Sequence, residues 1–235
     1  MNITKHKSYL VRILKDIYED IELGTLLGFK GGTALMFFEQ LPRFSVDLDF
    51  QLIQQKKQDL AYEKIRAIVL KYGKIHDEAI KHYGLIIVLD YGFAERKLKI
   101  EISNRPFNNH YEIKNLLGIS MLVMTKPDMF AHKVCALLDR TSFTNRDVFD
   151  CWFFMQHQTA INKQIVEERM KKPLADYFQD CIEYLGKMSD KNMLQGLGEL
   201  LDEDLKKFVK TRLRIETIGL FKIYKDMPLI AANQA

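Results

Sequence analysis

The spacing of apolar positions changes several times along the chain, and each change marks an expected element. Leu10, Ile13, Leu14, Ile17 and Ile21 recur at helical spacing, so a helix is expected over 9–23. Leu26-Leu27-Gly28-Phe29-Lys30 reads as a short strand ending at Gly31-Gly32. A second helix is expected over 33–40, stopped by Pro42. Val46-Asp47-Leu48-Asp49-Phe50 alternates with the period of a strand. A charged helix is expected over 57–72, then strands over 85–89 and 97–103 joined by Asp90-Tyr91-Gly92. A further β region spans 111–124, with its turn near Gly118.

After residue 125 the period is helical throughout. Thr125-Lys126-Pro127-Asp128 reads as a capped helix start. Helices are expected over 128–139, 146–157, 161–171, 174–185, 191–200 and 202–224. The chain is therefore expected to hold an α/β domain over 1–125, with a mixed sheet flanked by helices, and a C-terminal helical bundle over 126–235.

Composition narrows the class only a little. The 235 residues carry a formal charge of +4, which is compatible with a nucleic acid or phosphate-rich partner and demands neither. Cys135, Cys151 and Cys181 are odd in number and show no CxxC, so buried free thiols are expected. There is no His/Cys zinc spacing. No apolar run is long enough for a membrane span, and the first residues lack a signal-peptide core, so a cytoplasmic location without membrane attachment is expected.

The chemistry concentrates at Asp47 and Asp49. On a strand, i and i+2 share a face, so the two carboxylates project together while Val46, Leu48 and Phe50 face a core. Adjacent like charges are costly unless a cation relieves them. Mg²⁺ (or Mn²⁺), which takes one or two carboxylates plus substrate phosphates, suits the pair. An exposed, solvated Asp-x-Asp is the plainer account, but Asp is depleted in strands. Gly31-Gly32 lies between a strand and a helix, where backbone N–H groups can approach an anion, and Thr33 adds a hydroxyl. A tight turn capped by Thr33 would look the same in isolation. Glu101, on the polar face of the strand over 97–103, could be a third carboxylate, or merely the partner of Lys99. Lys126, Lys133 and Arg140 recur every seven residues and would line one edge of a helix, as a triphosphate site or as a solvated basic face. Arg146 and Asp150 have i,i+4 spacing, which an ordinary helix salt bridge explains. The basic run 206–214 could track an RNA backbone or be a solvated face.

Taken in order, these motifs resemble a known family. Gly31-Gly32-Thr33, thirteen residues, then Asp47-Leu48-Asp49, with Glu101 on a later strand, is similar to the signature of polymerase-β-like nucleotidyltransferases. Lys30-Gly31-Gly32-Thr33-Ala34-Leu35, then Arg43-Phe44-Ser45-Val46-Asp47-Leu48-Asp49-Phe50, resembles the AbiEii/AbiGii toxins more narrowly. So do Lys133-x₃-Leu137-x₂-Arg140 and Arg146-Asp147-x₂-Asp150. The resemblance covers roughly 8–156. It implies a toxin that transfers a nucleoside monophosphate from an NTP with Mg²⁺, to tRNA acceptor ends in some members, and that is paired with an antitoxin. It also implies a helical domain that completes the nucleotide site. The expected catalytic residues are Asp47, Asp49, Glu101, Asp147 and Asp150, the first three as metal ligands. The expected nucleotide contacts are Gly31, Gly32, Thr33, Lys133, Arg140 and Arg146. Two departures from the family pattern are Thr33 where many members have Ser, and Glu101 in place of Asp. Two other functions fit the same motifs: an atypical protein kinase using the site with the nucleotide reversed, and a catalytically silent module that binds RNA or protein.

Overall fold

The computed structural model describes residues 2–92, 95–139 and 144–232. The chain divides into two units, one of Met1–Gln40 with Phe44–Met124, the other of Leu41–Arg43 with Thr125–Ala235.

The first unit opens with helix α1 (Ile3–Glu19), capped by Asn2, whose side chain accepts from the Lys5 amide. His6, Leu10, Ile13, Leu14 and Ile17 form its buried face. The expected helix over 9–23 is in fact two. Asp20 is extended, and its carboxylate accepts from the amides of Glu22 and Leu23, starting α2 (Ile21–Leu26). A short polar side chain that satisfies the next helix's orphan donors is a local signal that apolar period alone does not carry.

Among the described residues the unit's sheet has seven strands. They are β1 (Leu27–Lys30), β2 (Leu48–Leu52), β3 (Lys74–Lys81), β4 (Gly84–Asp90), β5 (Leu98–Ser103), β6 (Tyr111–Leu116) and β7 (Ile119–Met124). Their order across the sheet is β3-β4-β5-β2-β1-β7-β6. β2 runs antiparallel to β1 and parallel to β5, so the sheet is mixed, as the sequence indicates. Helix α3 (Gly31–Phe38) connects β1 towards β2, and α4 (Gln58–Leu70) follows β2. The expected β region over 111–124 is the β6–β7 hairpin, and Gly118 at its turn has φ +83°. The sequence reading missed β3. Its burial alternates poorly because it is an edge strand with a bulge between Ile75 and Asp77.

The second unit is helical: α5 (Lys126–Asp139), α6 (Asn145–Gln156), α7 (Lys163–Met170), α8 (Leu174–Lys187), α9 (Glu203–Thr211) and α10 (Leu213–Asp226). Two expectations differ here. The helix expected over 191–200 is only a pair of short 3₁₀ turns, Asp190–Asn192 and Gly198–Leu200. Gly196, at φ +69°, lies between them. The helix expected over 202–224 breaks at Arg212, with φ −131°, into α9 and α10. Phe130, Phe149, Phe153, Phe154, Phe178 and Phe221 are buried in this unit, along with all three cysteines. Burial pushes the Cys135 thiol up to about 12, so the thiols are inert core groups. No described helix is long and apolar enough to cross a membrane.

Candidate active site

The acidic pair lies beside the middle strand of the sheet. β2 starts at Leu48, so Asp47 stands one residue ahead of the strand and Asp49 is its second residue. Val46, Leu48 and Phe50 are fully buried on the opposite side. In register, Lys30 of β1 pairs with Asp49, and Asp49 pairs with Glu101 of β5. Residues directly opposite in a sheet share a face. Lys30, Asp49 and Glu101 therefore line up across three adjacent strands. Gln51, also on this face, accepts from Lys30 Nζ at 2.9 Å and donates to the Arg105 carbonyl at 2.9 Å.

The glycine turn is fitted to these acids. Gly31 has φ +81°, a conformation that residues with a Cβ rarely take. A Cβ there would lie 2.9 Å from the Cβ of Asp49 and closer still to its carboxylate. Only a residue without a side chain lets the backbone pass Asp49 this closely. α3 begins at Gly31 without a side-chain cap, so its first-turn amides are not satisfied by a capping group. Thr33 has a different task from the phosphate contact expected of it. It is fully buried, and its hydroxyl donates to the Asp47 carbonyl. With its one proton committed there, Thr33 positions Asp47.

His6 was not singled out in the sequence. It is fully buried, with Nε2 2.8 Å from the Val46 carbonyl and Nδ1 hydrogen-bonded to the Tyr91 hydroxyl. Burial holds its pKa below the ordinary value, against the opposing effects of the Val46 carbonyl and the Asp47 charge. The backbone ahead of Asp47 is thus held from two sides, by His6 at Val46 and by Thr33 at Asp47. A lone histidine in an amphipathic N-terminal helix gave no sequence signal for this.

Lys99 meets Glu101 at 2.7 Å, so both sequence readings of Glu101 meet in one residue: it shares the face of Asp49 and is also the partner of Lys99. Burial would lower the Lys99 pKa. Its hydrogen bond to Glu101, with the charges of Glu101, Asp49 and Asp47, outweighs this and leaves it raised. Three acids therefore act on one lysine. Among the described residues no three His, Cys, Asp or Glu side chains already converge on one metal position. The donor set still fits a divalent cation of the Mg²⁺ kind. Asp47 and Asp49 are two half-exposed carboxylates close together at the start of β2, and such an ion draws its remaining oxygens from substrate phosphates and water.

The residues expected from the helical half form a second cluster. Arg43 is bidentate on Asp150, with Nε at 2.7 Å and Nη2 at 2.8 Å. Lys133 Nζ reaches Asp150 at 2.7 Å and Asp147 at 3.2 Å. Thr144 donates to the other Asp147 oxygen at 2.7 Å. Asp150 is fully buried. Burial would raise its pKa, but Arg43 and Lys133 hold it down at about 2. A carboxylate with both oxygens engaged and no exposed surface is a poor proton acceptor. The i,i+4 pairing of Arg146 with Asp150 gives way to Arg43 and Lys133, and Arg146 stays half-buried outside the cluster. Lys133 turns inward, while Lys126 packs over the Phe153 ring, so the two do not form a solvated row. Arg140 lies outside the described residues. In the basic run, Lys206, Arg212 and Arg214 pair with Glu203, Glu216 and Asp190.

Against this geometry, one family matches. The profile described as nucleotidyl transferase AbiEii toxin, type IV toxin–antitoxin system, spans residues 12–218. The chain belongs to the AbiEii toxin family. Its match extends well beyond the motifs, into the helices after 156. Two solved structures from Helicobacter pylori are similar to this AbiEii chain. A candidate nucleotidyltransferase has a TM-score of 0.63 at 19% identity, over 96% of this chain and 95% of that one. JHP933 has a TM-score of 0.62 at 19% identity, over 96% and 93%. At such identity the likeness is one of fold. No curated protein matches the chain. As an AbiEii member, the protein is a nucleotidyltransferase of a toxin–antitoxin system.

Proposed function

We propose that this AbiEii protein transfers a nucleoside monophosphate from an NTP to a hydroxyl of RNA, with a tRNA 3′ end as the leading acceptor. The observation that carries this reading is the register Lys30–Asp49–Glu101, with Gly31 passing directly against the Asp49 carboxylate. It supports the reading by setting Gly31 and the carboxylates of Asp49 and Glu101 on neighbouring strands.

In this reading, the first-turn amides of α3 at Gly31 and Gly32 bind the triphosphate. Asp47 and Asp49 would hold a divalent cation, which supplies neutralisation of phosphate charge when bound. Lys99 pairs with Glu101, and Glu101 accepts the proton of the acceptor hydroxyl. The freed oxygen forms a bond to the α-phosphorus, the bond from that phosphorus to the bridging oxygen breaks, and pyrophosphate leaves. His6 and Thr33 hold the Asp47 backbone. Asp150, Arg43 and Lys133 serve as a buried anchor between α5, α6 and the Leu41–Arg43 segment. Asp147 shares that anchor, and Arg146 remains a candidate phosphate contact outside it.

The test is incubation of the protein with each NTP, labelled at the α or the γ phosphate, with Mg²⁺ and total RNA. The α label is expected on RNA and is expected to be lost with Asp49→Asn. Label entering protein only from the γ position would assign a kinase instead. No transfer from any NTP would return the chain to a binding role, and transfer indifferent to Asp49→Asn would remove the site from the reaction.

A further inference from the structure

The turn between β3 and β4 sets an exposed aromatic ring against the end of β5. Gly84 has φ +145°, and a Cβ there would run into the Ile102 carbonyl. Without one, the hairpin closes onto β5: Gly84 pairs with Ser103, and the Asn104 amide donates to the Tyr83 carbonyl at 2.9 Å. Tyr83 is thereby fixed beside Arg105. Its side chain is 55% exposed, with the Arg105 guanidinium 5.4 Å from the ring centroid and the His82 ring centroid 4.4 Å away. A guanidinium over a ring keeps its N–H groups for other acceptors.

Cations collect around this pair. Ser103 pairs with Gly84 and Gly84 with Lys81, so no side chain stands between Ser103 and Lys81 on that face. The Asn104 side chain donates to Gln58 at 2.8 Å, and its carbonyl accepts from Gln55 at 3.5 Å. The 3₁₀ turn Gln55–Lys57, with Lys56 and Lys57, therefore adjoins the same loop. Lys56, Lys57, Lys81 and Arg105 are all exposed, and among the described residues none of them is in an ion pair. Asp59, exposed in the first turn of α4, offsets part of this charge. In the basic run 206–214, by contrast, Lys206, Arg212 and Arg214 each have an acid partner. Unpaired cations beside an exposed ring are what single-stranded nucleic acid takes: charge for the backbone and a ring for a base.

The cluster is continuous with the acids. Glu101 and Ser103 share a face of β5, and Arg105 follows two residues on, its carbonyl held by Gln51 of β2. At most about 14 Å of chain separates Glu101 from Arg105, a span that a few nucleotides cover. We infer that Tyr83, Arg105 and Lys81 bind the single-stranded 3′ segment of the acceptor RNA, upstream of the nucleotide whose hydroxyl meets Glu101. This assignment rests on RNA being the acceptor.

Fluorescence anisotropy with an end-labelled single-stranded RNA of about 12 nucleotides tests it in the absence of NTP. Tyr83→Ala should weaken binding about tenfold and Tyr83→Phe should not, because the ring is what stacks. Arg105→Ala and Lys81→Ala should each weaken binding, and each should flatten the slope of log K against log salt by about 0.7. All three side chains are exposed, so the melting temperature should hold in every variant. Lys207→Ala combined with Lys210→Ala, in the basic run of the second unit, should leave binding unchanged. In transfer assays Tyr83→Ala and Arg105→Ala should raise KM for RNA about tenfold and leave KM for the NTP as it is. Binding indifferent to both Tyr83→Ala and Arg105→Ala overturns the assignment, as does binding lost through Lys207 and Lys210 instead. Where either result comes with transfer to RNA intact, the acceptor reading stands and only the docking site falls. Binding that is lost in Tyr83→Ala and Arg105→Ala, with no transfer from any NTP, supports the docking site and overturns the reaction.

Discussion

Two groups of charged side chains in this protein look alike in sequence and differ in what their surroundings do with them. In the first unit, Asp47, Asp49 and Glu101 share one lysine, Lys99, and remain half exposed. In the second, Asp147 and Asp150 share Arg43 and Lys133, and all but the partly exposed Lys133 are buried. Half-exposed carboxylates on one sheet face can take up a cation from solvent. Asp147 and Asp150 are already matched by buried bases of their own. Removing an acid from the first group relieves repulsion, whereas removing one from the second strands cations in the interior. In the proposed reading the first group serves chemistry and the second structure, and substitution can break that contrast.

Asp150→Asn should have the largest effect on stability, about 3–5 kcal/mol, because Arg43 and Lys133 lose their buried counter-ion. For a chain of this size that lowers the melting midpoint by roughly 10 °C, readable by circular dichroism. Asp49→Asn should do the opposite: nucleotidyl transfer falls about a thousandfold, equivalent to roughly 4 kcal/mol, while the melting midpoint holds or rises. A destabilised Asp49→Asn would erase the distinction. Gly31→Ala should reduce transfer about a hundredfold, since the added Cβ displaces the Asp49 carboxylate. Acid sharpens the contrast further. The Asp150 carboxyl has a folded pKa of about 2, below the ordinary unfolded value of about 4. Its contribution to stability is full above the unfolded value and is lost as pH falls through the folded one. The stability gap between the native chain and Asp150→Asn should therefore close between about pH 4 and pH 2. The smallest effect is expected for Thr33→Val, about 1 kcal/mol from the lost hydroxyl bond to the Asp47 carbonyl, with a modest fall in transfer.

Much of this layout was legible from spacing. Strand alternation placed Leu48 and Phe50 in the core with Asp49 across from them, and the hairpin around Gly118 followed from its turn residue. The motifs Gly31-Gly32 and Asp47-x-Asp49 lie close in sequence, so a short β–α–β path was enough to bring them together. What escaped the sequence depends on distant partners. Arg43 reaches Asp150 across 107 positions, and His6 reaches the Val46 carbonyl across 40. No periodicity records such a pairing. Asp150 read as a catalytic candidate, with a helix salt bridge to Arg146 as the plainer account, whereas its counter-ions come from another helix and a loop. Thr33 read as a phosphate donor because a hydroxyl's direction is set by tertiary packing, which a motif does not encode. The breaks at Asp20 and Arg212 were missed because apolar period continues across both.

The position of β2 has a consequence for how the protein opens and closes. Among the described residues it is the fourth of seven strands, with three on either side, and β3 and β6 present the open edges. Amide exchange in such a sheet begins at the rims and reaches the middle last. The backbone that carries Asp49 should therefore be among the last in the unit to trade its protons with water. A molecule frayed at β3 or β6 would still hold its acids in register, so the toxin's reactive geometry would outlast the partial loosening that makes a chain vulnerable to proteases.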